Sequence, residues 1–274
     1  MANRRREVRS LIDSGDLDNA EARLTHWQSS GEDAEGLREL QAYLEANAAS
    51  TEPVTGMKFQ KIPGGSFRMG SSSSEQDRSN DERQHTVSVG EFWLGETEVT
   101  QAQWQAVMGS NPSKFKGNDL PVEQVSWHDV QEFIKRLNAR SGKRFRLPTE
   151  TEWGYAARAG TQTVYYWGEG IGNNHANCDG CGSRWDNRQT APVRSFKPNA
   201  FGLFDMLGNV YEWTCSQYKE SYDGSEQKCA VSASKYSLRG GSWLYEPRYM
   251  RSANRSSYGP DYRDYLLGFR LAQD

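Results

Sequence analysis

The carboxyl-terminal stretch, residues 236–274, most constrains what this chain can fold into. Two short anchors, residues 238–243 and 267–271, bracket a run of Tyr, Ser, Arg, Asp and Gly that has neither a helical nor a strand period. Six of the thirteen tyrosines lie between Tyr236 and Tyr265. Tyrosine offers stiff, amphipathic contact area, and Ser and Gly offer adaptable hydrogen bonding, as in antibody binding loops. The pattern therefore favours a binding loop on a rigid scaffold over an ordinary surface loop.

Composition narrows the class of protein. The net charge is −3 in 274 residues, so bulk charge does not indicate a nucleic-acid partner, and none is expected. No apolar run approaches the roughly 20 residues that span a bilayer, so we expect no membrane insertion. Residues 1–6 are basic, but no apolar signal-peptide core follows them, which predicts a cytoplasmic location unless a leader was removed. Nine Trp and 26 Gly predict an aromatic core with many turns.

Four cysteines are too few for a disulfide scaffold in a chain of this length. Cys178 and Cys181 have the spacing of zinc ligands, and a structural zinc would need two more ligands from Cys215, Cys229 or His175. A single pair at this spacing is a weak signal. The favoured interpretation is free thiols or small buried apolar side chains.

The chain changes character near residue 50. Residues 1–50 are predicted to form a short helical segment and a linker, with Asp18 and Glu21 at capping-box spacing. A helical segment that packs on the main domain is the simpler interpretation, and partner docking is the alternative. Residues 51–274 form the main domain.

The main domain begins with strands and ends with loops. Residues 57–70 contain two alternating runs around a Pro-Gly-Gly turn, which predicts a pair of strands. Thr100, Ser126 and Thr149 are placed to cap three short helices. Beyond residue 161 helical signals cease, and short strands alternate with long Gly-, Asn- and Trp-rich loops. The pattern predicts an α+β domain with little regular secondary structure.

Eight motifs occur in order along this domain and together resemble the formylglycine-generating enzyme (sulfatase-modifying factor) family. The resemblance extends from about residue 57 to residue 271. It implies an α+β, C-type-lectin-like fold of the formylglycine-generating-enzyme type, with long loops on a small twisted sheet. The motifs are residues 62–70, 96–100, 121–127, 146–153, 190–193, 198–213, 239–243 and 268–270.

The resemblance does not carry the family's activity with it. The family's enzymes oxidise a substrate cysteine with copper held by two cysteines of the carboxyl-terminal stretch. Here no cysteine follows Cys229, and Cu(I) is a soft ion that prefers thiolates. We therefore expect no copper and no enzymatic activity. The alternative, a formylglycine-generating-enzyme-like or iron-dependent sulfur-oxidising metalloenzyme, would need copper thiolates or a His-rich iron site.

Within the family, the chain resembles the variable proteins of diversity-generating retroelements. These end in a mutagenised segment between an Arg-Gly-Gly-Ser-Trp anchor and a Leu-Gly-Phe-Arg anchor, which match residues 239–243 and 267–270. The resemblance implies a non-enzymatic display protein with a variable segment, residues 243–267, for an unknown and variable ligand, expected to be a protein. Residues 251–255 form a fixed bridge, and Glu246 and Met250 are fixed because randomised Asn codons do not reach them. The candidate ligand-binding residues are Leu244, Tyr245, Tyr249, Ser256, Ser257, Tyr258, Gly259, Tyr262, Asp264, Tyr265 and Leu266.

A second candidate site is a calcium site in the loop before the Glu-Trp dipeptide of residues 198–213. Carboxylate and carbonyl oxygens that converge on a loop suit Ca²⁺. By the same resemblance, the ion takes two side chains and two main-chain carbonyls, and a second ion site lies nearby. The alternative is that these residues hydrogen-bond the loops without a metal. The implied ligands are Asp205, Gly208, Val210 and Glu212 for the first site, and Asn177 and Asp186 for the second.

The display hypothesis predicts which side chains are buried. Trp243, Phe269 and Leu271 should lie in the core, and Arg239 and Arg270 should hold the loops by hydrogen bonds and ion pairs. The candidate ligand-binding residues should instead form one contiguous, solvent-facing patch.

Overall fold

The computed structural model describes residues 6–8, 10–11, 17–29, 36–38, 40 and 50–274. The chain separates into two compact units, residues 1–50 and 51–274. In the first unit, helix α1 (Leu17–Ser29) buries Ala20 and Leu24 in a small apolar cluster with Val8 and Leu40. The capping box predicted from Asp18 and Glu21 lies outside the described side chains.

The three helices of the second unit begin where the sequence predicts. Thr100, Ser126 and Thr149 each accept a hydrogen bond from the backbone N–H three residues on, and the side chain at that third position returns a bond, so all three form capping boxes. The last helix ends at Arg158, and Ala159 takes the left-handed cap position after it. These helices are α2 (Gln101–Met108), α3 (Trp127–Ser141) and α4 (Glu150–Arg158).

The described part of the chain contains short strands, which form three small sheets. The strands are β1 (Ser50–Thr51), β2 (Lys58–Ile62), β3 (Gly65–Met69), β4 (His85–Val89), β5 (Phe92–Gly95), β6 (Phe145–Arg146), β7 (Tyr211–Gln217), β8 (Tyr236–Arg239), β9 (Ser256–Tyr258), β10 (Leu267–Gly268) and β11 (Ala272–Gln273). The first sheet has the order β1-β2-β5-β11-β6, the second β10-β7-β8-β9, and the third is the hairpin β3-β4. Two short 3₁₀ helices, Ser225–Gln227 and Pro247–Met250, lie in the loops.

The register of the second sheet brings both anchors to one place. Glu212 of β7 pairs with Arg239 of β8 in an antiparallel ladder and with Gly268 of β10 in a parallel one. The core around β7 is aromatic, as the composition predicts, and Trp153 and Trp213 have no solvent exposure. The α+β class and the shortage of regular structure are thereby confirmed.

The expectation that the cysteines are free thiols is wrong, although Cys178, Cys181 and Cys215 are buried. Cys178 pairs with Cys181 and Cys215 pairs with Cys229, with Cα atoms 5.1 and 4.6 Å apart. No thiol is free, so these residues hold no zinc. The sequence could not reveal this, because four cysteines allow three pairings as well as the reduced state.

Among the described residues, no helix is both long and apolar enough to cross a bilayer.

Candidate functional site

The second anchor is fixed by a buried ion pair. The Arg270 guanidinium donates to both carboxylate oxygens of Glu212, at 2.7–3.0 Å. It also donates to the carbonyls of Phe204 and Gly95, and the Trp153 indole N–H donates to Glu212 at 2.8 Å. Arg270 and Glu212 are at most 1% exposed. The far end of the variable segment is thus tied to strand β7.

The first anchor is fixed by a second buried ion pair. Arg239 donates to Glu150 at 3.2 Å and to the Ser252 carbonyl at 2.7 Å. Glu150 also accepts from Arg255 at 2.6 and 3.0 Å. Although burial opposes its ionisation, the guanidinium groups of Arg255 and Arg239 lower the pKa of Glu150. The expected roles of Arg239 and Arg270 are confirmed.

The bridge between the two halves of the variable segment is also held rigidly. Residues 251–255 are all buried. Arg251 donates to Glu82 at 2.6 and 2.8 Å and to Glu75 at 2.8 Å. Arg255 donates to the Asp81 carbonyl. A guanidinium supplies several donors in one plane. Arg251 therefore holds the bridge to two points of the loop between β3 and β4, and Arg255 holds it to the same loop and to Glu150 of α4.

The apolar parts of the anchors lie in the core. Trp243 is 5% exposed, and Phe269 and Leu271 are at most 1% exposed, which confirms the prediction. Met250, expected to be fixed, is completely buried, whereas Glu246 is exposed.

The candidate ligand-binding residues are less exposed than expected. Tyr262 is exposed at 40%, while Leu266 is 8% exposed and therefore buried, contrary to the prediction. The Leu266 main chain accepts a hydrogen bond from Tyr211 as it enters β10, and the side chain turns inward. The half-buried candidates are Leu244, Tyr245, Tyr249, Ser256, Ser257, Tyr258, Gly259, Asp264 and Tyr265.

The tyrosines of the segment contact one another. The ring of Tyr245 lies 5.7 Å from Tyr211 and 5.1 Å from Tyr249. Tyr258 stacks on Tyr262 at 4.1 Å. Tyr245, Tyr249 and Tyr258 also pack against the core, so part of each side chain is buried and part is open to solvent.

A loop closed by a disulfide is hydrogen-bonded to the backbone of the variable segment. The Asp179 N–H, between the two half-cystines Cys178 and Cys181, donates to the Tyr245 carbonyl at 2.9 Å. Asp186 closes the same loop by accepting from the N–H groups of Gly180 and Gly182. Sequence reasoning missed this support, because the pairing of the cysteines is not visible in the spacing.

The residues of the second candidate calcium site are engaged in loop hydrogen bonds. Both Asp186 oxygens accept from backbone N–H groups. The Asn177 side chain accepts from Ser183 at 2.8 Å and donates to the Gln189 carbonyl at 2.9 Å.

The first candidate calcium site lies in a buried cluster of carboxylates. Asp205 is 3% exposed; one oxygen accepts from the Arg194 N–H at 2.6 Å, and the other has no hydrogen-bond partner. Gly208 and Asn209 follow in a tight turn with positive φ and lead to Val210 and Glu212. Burial is the main cause that raises the pKa of Asp205 to about 7.

Sequence reasoning missed a third carboxylate, Glu98. It has no solvent exposure, and neither of its oxygens has a hydrogen-bond partner. Burial and the carboxylates of Asp205 and Glu212 raise its pKa well above the usual range. The only feature of the sequence that could have indicated Glu98 is its position inside the motif of residues 96–100. Within the described ranges, no three His, Cys, Asp or Glu side chains are arranged to hold a metal.

Comparisons with known proteins place this arrangement in a family. Residues 45–274 match the sulfatase-modifying factor enzyme 1-like domain. The chain is 30% identical to the chaperone protein LppX of Paenibacillus barcinonensis, over 80% of this chain and 92% of that protein. It is 32% identical to the formylglycine-generating enzyme of Bos taurus over 77% of this chain, but spans only 58% of that enzyme.

A solved structure adds the fold. The Treponema denticola variable protein 1 superposes with a TM-score of 0.72 at 28% identity, over 82% of this chain and 99% of that one. The fold is therefore that of the formylglycine-generating enzymes, as the motifs predict. The chain belongs to the sulfatase-modifying factor family, and within it resembles a diversity-generating retroelement variable protein.

Proposed function

We propose that this protein is a non-enzymatic display protein, whose carboxyl-terminal surface is diversified by a retroelement to bind varied protein ligands. One observation carries the proposal. A tyrosine-rich, partly exposed segment is fixed at its two ends by the buried side chains of Arg239 and Arg270, and in its middle by the buried residues 251–255. Exposed side chains on such a frame can be exchanged while the frame stays in place. The resemblance to the Treponema variable protein supports it.

The chemistry of the surface favours protein ligands. Tyrosine is enriched among residues that dominate protein interfaces, because it buries apolar area and keeps a polar tip. The Paenibacillus relative is called a chaperone protein, which also suggests a protein partner. The net charge of −3 gives no support to a nucleic-acid partner.

The proposal is tested by sequencing the 3′ end of this gene in a growing population of its host. Substitutions should concentrate in the codons of residues 243–267, at candidate positions, and spare residues 251–255. A near-repeat of this gene segment beside a reverse transcriptase should supply them. Substitutions spread evenly along the gene, with no such repeat, would refute diversification.

The competing function is a formylglycine-generating-enzyme-like or sulfur-oxidising metalloenzyme. A copper site of the family's type does not fit this chain, because all four cysteines are in disulfides and none follows Cys229. We expect the protein to leave a sulfatase-derived cysteine peptide unchanged after Cu(I) loading, and to bind no stoichiometric copper by mass spectrometry. Turnover of the peptide would establish the enzyme and remove the display proposal.

A calcium ion at Asp205 is also proposed. The residues fit in part. Asp205 has one buried oxygen without a partner, and Glu98 has two, but Glu212 is already bound by Arg270 and Trp153. If bound, the ion would fix the turn that leads into β7, and this chain's part is to supply the oxygens.

Replacing Asp205 with alanine should lower the melting temperature more in calcium than in chelator. Because burial raises the pKa of Asp205 to about 7, the calcium effect on the unsubstituted protein should shrink below that pH, where the carboxyl is protonated. Glu52→Ala is the control, because Glu52 belongs to neither candidate calcium site. Its oxygens accept from the Val54 and Thr55 N–H groups and from the Thr55 hydroxyl, so the loss should be the same in calcium and in chelator. Equal losses for Asp205→Ala in both buffers would favour a purely hydrogen-bonding role.

The disulfides bear on location. Structural disulfides persist in oxidising compartments and are rare in the cytosol. Two disulfides therefore support an oxidising environment rather than the cytoplasm predicted from the amino-terminal sequence.

A further inference from the structure

The carboxylate of Asp264 lies beside the partly exposed tyrosines of the variable segment. The Tyr262 hydroxyl donates to one oxygen of Asp264 at 3.1 Å, and the Leu266 N–H donates to the other at 3.0 Å. Tyr258 stacks on Tyr262 at 4.1 Å. A carboxylate has about four lone-pair positions, so Asp264 keeps acceptor capacity for another donor.

A third tyrosine lies beside the same carboxylate. Burial, the Tyr258 phenol and the Asp264 carboxylate raise the pKa of Tyr245. The Tyr245 ring is 5.1 Å from Tyr249, which extends the aromatic surface away from Asp264. The result is a half-buried carboxylate with three tyrosines around it, which we call the Asp264 cluster: Tyr245, Tyr258, Tyr262 and Asp264.

The nearby cations are engaged elsewhere. Arg263 binds Asp129 through two hydrogen bonds of 2.6 and 2.8 Å. The Lys114 ammonium lies over the Tyr265 ring, 4.0 Å from its centre. Arg248 pairs with Glu246 at 3.0 Å. Among the described residues, no salt bridge joins a cation to Asp264, so its charge is left for a ligand.

We propose that this variant of the display surface binds an arginine side chain of its protein partner at the Asp264 cluster. The inference rests on the proposed display function and names the chemistry of the ligand. An arginine guanidinium fits better than a lysine ammonium, because it is planar, stacks on aromatic faces and can donate two parallel hydrogen bonds to one carboxylate. Cation–π attraction by the tyrosines adds to the ion pair.

The test uses the full-length protein and a random dodecapeptide phage library. Peptides selected on the unsubstituted protein should be enriched in arginine, and selection on Asp264→Asn should lose that enrichment. The asparagine keeps a side-chain oxygen for the Leu266 N–H, so the loop should stay in place, which an unchanged melting temperature would check. Asp261→Asn is the matched control: it removes an exposed carboxylate of the same loop and should keep the arginine enrichment.

A selected peptide then tests the contact itself. Replacing its arginine by citrulline, the neutral analogue, should weaken binding to the unsubstituted protein at least about tenfold, as expected when a charged hydrogen-bond pair is lost. The same replacement should change binding to Asp264→Asn by less than about twofold. Equal affinities of the two peptides for the unsubstituted protein would overturn the inference.

Two failures are distinguishable. The first failure concerns the arginine contact alone. If the selected peptides bind the variable segment and lose affinity for the Tyr262→Ala variant, but show no preference for arginine, the arginine contact is overturned and the display function stands. Failure to select any peptide that depends on this segment would count against both.

Discussion

Replacing Arg270 with alanine is expected to cost about 3–5 kcal/mol of the free energy of unfolding, the range for breaking a buried ion pair from one side. Arg270 is fully buried, and its guanidinium satisfies Glu212 and the carbonyls of Gly95 and Phe204. The alanine variant leaves the Glu212 charge in a site that water does not reach. Urea unfolding at constant m value measures the loss.

Arg263→Ala is the matched control for Arg270. It also removes a two-bond arginine–carboxylate pair, with Asp129, but the Arg263 side chain is 51% exposed. Exposed pairs contribute about 0–1 kcal/mol, so this variant should remain close to the unsubstituted protein. Similar losses of free energy of unfolding in the two variants would show that burial of the Arg270–Glu212 ion pair is not what stabilises the anchor.

The loss in the Arg270 variant should also depend on pH. Asp205 and Glu98 already have raised pKa values because burial disfavours their charges, and Arg270 is the cation they share with Glu212. Without it, these carboxyls relieve their repulsion by taking up protons. The Arg270→Ala variant should therefore lose more free energy of unfolding, relative to the unsubstituted protein, at pH 8 than at pH 5.

Trp243→Ala is expected to cost about 3–5 kcal/mol, the range for removing a buried aromatic side chain. Trp243 is 5% exposed, lies 5.4 Å from the Phe115 ring and 5.8 Å from Tyr265, and donates to the Tyr265 carbonyl at 3.4 Å. Its loss leaves a cavity beneath the start of the variable segment.

The control for Trp243 is Tyr262→Ala. Tyr262 is 40% exposed, and the alanine variant lacks mainly the stacking of its ring on Tyr258. The substitution should therefore lower the free energy of unfolding by about 1 kcal/mol or less. Thermal unfolding of the two variants side by side separates a frame residue from a display residue. An equal loss in both would mean that the tyrosine is part of the core.

Local signals predicted well where they act over a few residues. Thr100, Ser126 and Thr149 form their capping boxes because the partner lies three residues away. The buried positions of Trp243 and Phe269 followed from the resemblance of the anchors to a family frame.

Contacts between distant segments were not predictable in the same way. Glu98 is buried beside Asp205, more than a hundred residues away, and nothing in its local pattern marks a carboxyl that meets others in the core. Leu266 turns inward because its main chain pairs with Tyr211, a choice set by the sheet register. The pairing of Cys178 with Cys181 depends on redox state as well as on distance.

The proposed display function requires that the side chains of the variable segment can be exchanged while those of the anchors cannot. Two libraries of the full chain, each randomised at five positions and exposed to protease on a cell surface, test it directly. The surface library changes Leu244, Ser256, Ser257, Tyr262 and Tyr265. The anchor library changes Arg239, Ser242, Trp243, Phe269 and Arg270.

The fraction of each library that resists the protease is read by sequencing the survivors. We predict that most members of the surface library survive like the parent, because they change partly exposed side chains on a rigid scaffold. Few members of the anchor library should survive, because each position is at most 5% exposed. Equal surviving fractions in the two libraries would contradict the proposed display function.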